Sequence, residues 1–470
     1  MPESIDAPRL SLTSSEMRRL ADHVVALVIE RFDTKSDSPI GKRPTKAELE
    51  GLFAEPLPAK GDDPMRLIDQ AVEQAFGNTI RVDHARYFAF VPAPNHFVGA
   101  MADALCAGFN AFAGTWMVGA GAAQVELTVM EWLRQIVGMP DGAGGLLVSG
   151  GSMANLTALV AAREAVLGED FGHGAVYLSD QTHSSAIRAL KVAGFAQRQI
   201  RVLPSDKSFR LPFSALQAAV SEDRAAGLCP FCAILNAGTT NTGAVDDFET
   251  IVPWARSEGL WIHADAAYGG LAAVSPNQKP KLAGLGEVDS MAIDPHKWLY
   301  APIECGGVLM RDFSLLKRAF KILPDYLLDK ERDAGEVDFC DHGIQLSRSF
   351  RAFKVWLMLK TFGVEAFAES VDHNVRLAEV AGERLVAKGF ELAAPPSLGI
   401  VAFWHPEADS AAHRRAVDRL IEDGFAMASS TQLKGRTALR MCTLSPLATK
   451  EDVEQTVDKL AQFVLASRSH

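Results

Sequence analysis

Short, mostly apolar runs recur along the chain from about residue 145, and stretches that fit helices, such as 152–167 and 184–193, separate several of them. Strands that are apolar throughout are typical of a parallel sheet buried on both faces. Their alternation with helices predicts an α/β domain whose ligands bind outside the carboxyl ends of the strands. The seven predicted strands are 146–149, 175–179, 199–203, 232–235, 260–264, 290–293 and 306–310.

The sequence before this region is polar and rich in helix breakers. Helix candidates at 15–32 and 64–76 flank a linker at 39–64 that Pro and Gly interrupt. The segment has too little apolar content to form a core of its own. We therefore expect residues 1–95 to form a helical arm that packs on another subunit.

After residue 350 the pattern changes again, to helix candidates that alternate with strand candidates. The predicted helices lie at 350–361, 364–387 and 411–423, and the predicted strands at 399–403 and 437–442. This pattern predicts a smaller α+β domain over residues 353–470, next to a large domain over residues 96–352.

Composition narrows the range of partners. The 470 residues carry a formal net charge of −11, and no dense block of Lys and Arg interrupts this acidic balance. An acidic surface repels a phosphate backbone, so we expect no nucleic-acid partner. Residues 1–20 lack the apolar region of a signal peptide, and no stretch is typical of a membrane span. We therefore expect a cytoplasmic protein without membrane contact.

The cysteines predict neither a metal site nor a redox site. Cys229 and Cys232 match the C-x-x-C pattern, but no second pair completes a zinc site. Cys232 begins an apolar run, which favours a buried strand cysteine. We therefore expect no metal.

A lysine stands at the end of one predicted strand, in the phrase Asp-Pro-His-Lys-Trp at 294–298. This position lets the amine of Lys297 meet a ligand at the sheet edge. A lysine that acts as a nucleophile must spend part of its time neutral, and partial desolvation at such a site favours the neutral form.

An aspartate ends another apolar strand, in the phrase Ile-His-Ala-Asp-Ala-Ala-Tyr at 262–268. A buried carboxylate is costly unless a partner compensates its charge. A protonated pyridine nitrogen is one such partner for Asp265, and a helix N-cap is the alternative use of an aspartate at this position.

Two further strand ends carry polar or glycine-rich sequence. The phrase Ser-Gly-Gly-Ser-Met-Ala-Asn at 149–155 joins a strand to a helix, and its glycines with the helix N-terminus are suited to a phosphate. The phrase at 179–185 contains His183 and Ser184. We reject the interpretation of this pair as a hydrolase site in which His183 activates Ser184, because adjacent helical residues point in different directions.

Together these four phrases resemble those of the fold-type I enzymes that use pyridoxal 5'-phosphate (PLP). In finer detail they resemble the group II amino-acid decarboxylases, which include aromatic-L-amino-acid, histidine and glutamate decarboxylases. The resemblance runs from about Arg86 to the C-terminus and rests on the phrases SDQTHSSAIRA, IHADAAYGG and DPHKWL. It implies the fold-type I architecture and decarboxylation of an L-amino acid to an amine and CO2.

The resemblance also implies the roles of individual residues. Lys297 would carry PLP as a Schiff base, and Asp265 would bind the pyridine nitrogen. His183 would stack on one face of the ring, and Ala267 would pack against the other. Around the phosphate and the ring substituents would lie Ser152, Met153, Thr240, Asp294 and His296, and the substrate pocket would contain Phe90, Phe112, Gly114, Trp116 and Ser347.

In the family, a loop with the phrase Pro-Asp-Tyr-Leu reaches the active site of the partner subunit. The matching residues here are 324–327, and Tyr326 would donate a proton to the substrate Cα. The resemblance thus implies a homodimer whose active sites lie at the subunit interface.

Three positions depart from the pattern of the aromatic-amino-acid enzymes. Asp294 stands where some relatives have asparagine near the phosphate. Gly114 replaces a bulky aromatic residue, and Ser347 stands where the family alternates between glycine and serine. The amino-acid substrate therefore stays open. The alternatives to a decarboxylase are another PLP lyase, an oxidative aldehyde-forming relative, and a non-catalytic PLP-binding protein.

Overall fold

The computed structural model describes residues 10–36, 38–322 and 335–466, and two β-sheets organise these ranges. The larger sheet has the strand order β1-β7-β6-β5-β4-β2-β3. Only β7 runs antiparallel to its neighbours, so the prediction of a seven-stranded, mainly parallel sheet is confirmed. Its strands are β1 (Gly144–Val148), β2 (Gly174–Ser179), β3 (Ile200–Leu203), β4 (Cys229–Asn236), β5 (Trp261–Asp265), β6 (Ser290–Ile293) and β7 (Gly306–Met310).

Helices cover both faces of this sheet. The first ten helices are α1 (Ser14–Asp33), α2 (Lys46–Phe53), α3 (Pro64–Gln74), α4 (Phe97–Phe109), α5 (Trp116–Val137), α6 (Gly151–Val166), α7 (Ser184–Val192), α8 (Phe213–Ala225), α9 (Phe248–Ser257) and α10 (Ser314–Phe320). Strand β2 shows why its sequence is apolar throughout. Val176 and Leu178 pack with α6 and α7, whereas Ala175 and Tyr177 pack into the core that α5, α8 and α9 cover. Both faces are thus buried, as parallel sheets require.

The smaller sheet is antiparallel and follows the long helix α11 (Ala352–Ala387). Its strands, in the order β10-β11-β9-β8, are β8 (Glu391–Leu392), β9 (Ile400–Trp404), β10 (Ser429–Leu433) and β11 (Arg436–Cys442). Helices α12 (Ser410–Glu422) and α13 (Lys450–Ala466) pack with this sheet around a second core. Strands β9 and β11 were predicted; the polar β10 and the two-residue β8 were not.

Helix α11 contains both of the helices that the sequence predicts as separate elements at 350–361 and 364–387. Gly363 interrupts the helical backbone between them, with φ 75° and ψ 160°. A positive φ of this kind favours glycine, which explains why the sequence breaks at this residue. The proposed domain boundaries at residues 95 and 352 stay predictions.

The N-terminal helices α1 and α3 are present, but no residue of either is buried in the single chain. Met17, Val24, Val25 and Ile29 of α1 are exposed apolar side chains. No helix in the described ranges is long and apolar enough to span a membrane.

A buried ion pair ties the segment before α11 to the large sheet. Glu126 on α5 and Arg348 bind each other while their side chains are 0% and 1% exposed. Glu126 also accepts from the backbone N–H of Leu147 in β1, and Arg348 donates to the backbone oxygens of Leu147 and Ala113. The pair therefore joins three segments that are distant in the chain.

We expect Arg348→Met to lower the free energy of unfolding by about 3–5 kcal/mol, because it leaves the carboxylate of Glu126 buried without its counter-charge. The double variant Glu126→Gln/Arg348→Met should lose less than the sum of the two single losses. Urea unfolding measures these values, with Arg376→Met as the control for an exposed ion pair on α11. Simple additivity of the two single variants would contradict the coupling.

Candidate active site

A cavity of about 560 Å³ opens at the carboxyl edge of the large sheet. Most of its lining comes from the segments that follow β1, β2, β4, β5 and β6, because parallel strands end at the same edge. Residues as far apart in the chain as Ser149 and Lys297 thus meet in one cavity.

The segment after β1 forms a glycine-lined wall. A Cβ atom on Gly151 would lie 2.8 Å from the Cβ of Ala267 and 2.9 Å from an oxygen of Asp294, so only glycine fits there. Helix α6 begins at this residue, and no side chain of the described residues caps it. Ser152 and Met153 line the cavity beside it. The free N–H groups and positive end of a helix are suited to a phosphate.

Asp265 ends β5 and faces the cavity with 7% of its surface exposed. Burial raises the pKa of this carboxyl, while the charges of Lys297 and His183 act in the opposite direction. Its two oxygens accept from the side-chain amide of Asn155 at 3.3 Å and from the backbone N–H of Ala267 at 3.4 Å. A buried carboxylate with so few donors is ready to bind a further cationic donor.

Lys297 follows β6 and reaches the same cavity. Its Nζ lies 3.0 Å from Oδ2 of Asp294, which is 3% exposed. The other oxygen of Asp294 is buried and has no hydrogen-bond partner among the described residues. His296 donates from Nδ1 to the backbone oxygen of Cys305 at 2.6 Å, and its Nε2 lies 3.7 Å from Asp294. The amine, the carboxylate and the imidazole thus form one polar wall.

The remaining predicted cofactor residues, His183, Thr240 and Ala267, also line this cavity. His183 is the N-cap of α7, where its Nδ1 accepts from the backbone N–H of Ser185. All nine residues that the sequence proposes around the cofactor therefore meet in one place.

The predicted substrate pocket is brought together only in part. Phe90 lines the cavity with Val91 and Ile303, but the other four predicted residues do not. Phe112 and Ser347 line a separate cavity of about 510 Å³. Gly114 and Trp116 line neither of the two cavities. Tyr326 lies outside the described residues.

Sequence reasoning missed several polar residues of the site, and three of them show why. Asn155 contacts Asp265 from α6, Asn236 lines the cavity at the end of β4, and Glu304 lines both cavities. Asn155 belongs to the glycine-rich phrase at 149–155, but the sequence does not show that its side chain contacts Asp265. Nothing in the local sequence distinguishes Glu304 from an ordinary surface residue.

Comparison with known proteins gives a consistent result. Residues 48–406 match the model of the pyridoxal-dependent decarboxylase conserved domain. An aromatic-L-amino-acid decarboxylase of Bacillus atrophaeus is 42% identical over 460 residues, which cover 96% of each chain. A tyrosine decarboxylase of Oryza sativa is 33% identical and covers 98% of this chain and 93% of its own. The chain belongs to the pyridoxal-dependent decarboxylase family.

Solved structures agree with this assignment. Catharanthus roseus tryptophan decarboxylase in complex with L-tryptophan aligns with a TM-score of 0.90 at 28% identity, over 97% of this chain and 99% of that one. Oryza sativa TDC with PLP and tryptamine gives a TM-score of 0.92 at 27% identity, over 98% and 99% of the two chains. The fold is that of fold-type I PLP enzymes, and the chain is a PLP-dependent amino-acid decarboxylase.

The residues of the cavity fit PLP. The uncapped start of α6 and its glycine wall suit the phosphate, and the buried carboxylate of Asp265 suits a protonated ring nitrogen. Lys297 would supply the amine that holds the cofactor.

A neutral histidine lies behind this site. His263 in β5 is fully buried, and burial lowers its pKa from 6.5 to about 3. The unfolded chain therefore binds a proton at this residue between pH 6.5 and 3, whereas the folded chain does not. Stability from this residue is complete above pH 6.5 and is lost as the pH falls toward 3.

We expect wild-type apoprotein to lose about 2–3 kcal/mol more than His263→Gln when the pH falls from 7 to 4.5, because glutamine does not titrate. Urea unfolding at several pH values measures the difference, and His173→Gln, which removes an exposed histidine before β2, is the control. A constant difference between wild type and His263→Gln would contradict a neutral, buried His263.

Proposed function

We propose that the enzyme decarboxylates an aromatic L-amino acid to the corresponding amine. The observation that carries this proposal is the meeting of Lys297 and Asp265 in one cavity that Phe90, Val91 and Ile303 also line. Apolar side chains in the lining favour a substrate with an apolar side chain. The relatives named above act on aromatic amino acids, which supports the same class here.

PLP, when bound, supplies an electron sink for the electrons that the departing carboxylate leaves behind. Lys297 would hold the cofactor through its amine. Asp265 would bind the ring nitrogen and keep it protonated, which would maintain the sink. His183 and Ala267 would hold the ring from its two faces.

Phosphate binding positions these groups relative to the cofactor. The start of α6 with Ser152 and Met153 would hold the phosphate, with Thr240 and His296 beside it. Oδ2 of Asp294 lies 3.0 Å from Nζ of Lys297, so its carboxylate would compensate the charge of the lysine ammonium before the cofactor binds. An asparagine at this position could not compensate that charge.

Gly114 is compatible with an aromatic substrate despite its departure from the family pattern. A Cβ atom at this residue would lie 2.3 Å from Cζ of Phe112, so the ring of Phe112 occupies the space into which a side chain at 114 would point. Aromatic surface is thus supplied by a neighbour two residues earlier. We propose that this surface, together with Trp116 and Ser347, completes the substrate pocket from the partner subunit.

The test is a decarboxylation screen. Purified holoenzyme is supplied with each standard amino acid, DOPA and 2,4-diaminobutyrate, and CO2 release is measured. We expect kcat/KM to be highest for an aromatic amino acid, and Phe112→Ala to lower it mainly through KM. Preference for glutamate, histidine or diaminobutyrate would contradict the aromatic proposal, and absence of CO2 from every substrate would contradict a simple decarboxylase.

An aldehyde-forming reaction is the second candidate, because phenylacetaldehyde synthase of Arabidopsis thaliana is 29% identical over 94% of this chain. The carbon that loses CO2 must gain a proton before oxygen reaches it, and we propose Tyr326 as the donor. Peroxide and aldehyde are measured in the same screen. Wild type should form amine without peroxide, and substantial peroxide would favour the second candidate.

A homodimer is the proposed assembly. Large apolar side chains close in sequence to the lining of the second cavity are exposed: Phe109, Met117, Val118 and Leu346 are 63–79% exposed. Apolar side chains of α1 are exposed as well, and exposed apolar surface of this kind supports an interface with a second copy. Cytoplasmic location, which the sequence predicts, belongs to the same proposal.

Hybrid dimers test the shared site. Lys297→Ala and Tyr326→Phe chains are co-expressed with different tags, and the hybrid is isolated through both tags. If Tyr326 acts across the interface, one of the two sites is intact, and the hybrid should show about half of the wild-type activity. If both residues act within one chain, neither site is intact, and a hybrid no more active than its parents would contradict the proposal.

A further inference from the structure

Four side chains form a buried line of hydrogen bonds that ends on Asp265. Trp261 Nε1 lies 2.8 Å from Ser290 Oγ, and Ser290 Oγ lies 2.8 Å from His263 Nδ1. His263 Nε2 lies 2.8 Å from Asn155 Oδ1, and Asn155 Nδ2 lies 3.3 Å from Asp265 Oδ2. We call Trp261, Ser290, His263 and Asn155 the Asn155 network. Ser290, His263 and Asn155 are 0% exposed.

The carboxylate fixes the direction of every bond in this network. An ionised Asp265 can only accept, so the amide nitrogen of Asn155 faces it and the amide oxygen faces His263. His263 therefore carries its proton on Nε2 and accepts on Nδ1. The hydroxyl of Ser290 must donate to that Nδ1, and its oxygen accepts from the indole of Trp261.

A second branch leads from the same amide to His183. Asn155 Nδ2 also lies 3.1 Å from Oγ of Ser185. The backbone N–H of Ser185 donates to Nδ1 of His183, so this nitrogen is an acceptor. The hydroxyl of Ser185, at 2.7 Å, therefore donates to it as well. One amide group thus reaches both the acid and the imidazole that line the cofactor cavity.

Burial keeps His263 neutral in this network. Its burial lowers its pKa to about 3, so the imidazole stays neutral with one donor and one acceptor. Among the described residues, no charged side chain is hydrogen-bonded to its ring, which contacts the side chains of Ser290 and Asn155. A neutral ring keeps one donor and one acceptor, so it can hold the tautomer that the amide of Asn155 requires.

We propose that Asn155 and His263 are positioning residues that hold the carboxylate of Asp265 and the imidazole of His183 in place for the pyridine ring of PLP. Neither residue lines the cavity, so each acts through another side chain. Loss of either residue should loosen the cofactor and change the tilt of its ring. The inference depends on PLP binding and is independent of the amino-acid substrate.

A matched pair of substitutions tests this inference. His263→Phe keeps a ring of similar size but removes the donor and the acceptor. His263→Gln keeps an amide that can donate toward Asn155 and accept from Ser290. The readouts are the rate at which PLP leaves the holoprotein and the circular dichroism of its visible absorption band. Neither readout needs turnover, so failure of the substrate proposal would leave both expectations unchanged.

We expect PLP to leave His263→Phe about tenfold to a hundredfold faster than wild type, with an altered dichroism band. The reason is that Asn155 loses the partner that orients its amide, which weakens its hydrogen bond to the charged carboxylate of Asp265. His263→Gln should stay within about threefold of wild type. Ser185→Ala cuts only the branch to His183, so it should alter the dichroism band more than the rate of PLP loss.

The control is Tyr177→Phe, which removes a buried hydrogen bond to Asp223 elsewhere in the sheet and should leave both readouts unchanged. Equal PLP loss from His263→Phe, His263→Gln and wild type would overturn the proposal. Equal impairment of the two His263 variants would also overturn it, because the effect would then be one of packing. If His263→Phe does not fold, Ser185→Ala becomes the deciding variant, and an unchanged dichroism band in that variant would overturn the proposal.

Discussion

The buried carboxylate of Asp265 is the constraint on which the active site depends. A buried charge at the carboxyl end of β5 costs folding free energy unless hydrogen bonds or opposite charges compensate it, and few groups of the protein do so. Lys297 and His183 act on it through space, and Asn155 donates to it directly. In the proposed function, the protonated ring nitrogen of PLP would be a further partner of this carboxylate. Binding of PLP would then offset part of the cost of its burial.

Sheet topology places the other groups around that carboxylate. Five strand ends meet at one edge, so a phosphate site after β1, an imidazole after β2 and an amine after β6 converge without long connecting loops. The Glu126–Arg348 pair extends this arrangement, because it fixes the segment before α11 against β1. Ser347 is the neighbour of Arg348 in the chain, so the ion pair also restrains its position next to β1.

Much of the fold could be predicted from local sequence, and the cofactor residues from the resemblance to PLP decarboxylases. Asp265 ends an apolar strand and Lys297 follows one, and that contrast is visible without a structure. Asn155 could not be assigned its role, because its partner His263 is 108 residues away in the chain and both are hidden in apolar surroundings. Strand β10 escaped prediction because its residues are polar and pairing with β11 stabilises it. Phe112 and Ser347 lie in a second cavity of the single chain, and a sequence does not show which subunit a pocket residue serves.

We propose that Lys297 holds the cofactor at the edge of the sheet beside Asp265. Reduction of the holoprotein with borohydride, followed by digestion and mass spectrometry, tests this attachment. We expect a phosphopyridoxyl group on Lys297 and on no other lysine, and loss of the visible absorption band in Lys297→Ala. A reduced cofactor on a different lysine, with Lys297 unmodified, would contradict the proposed attachment.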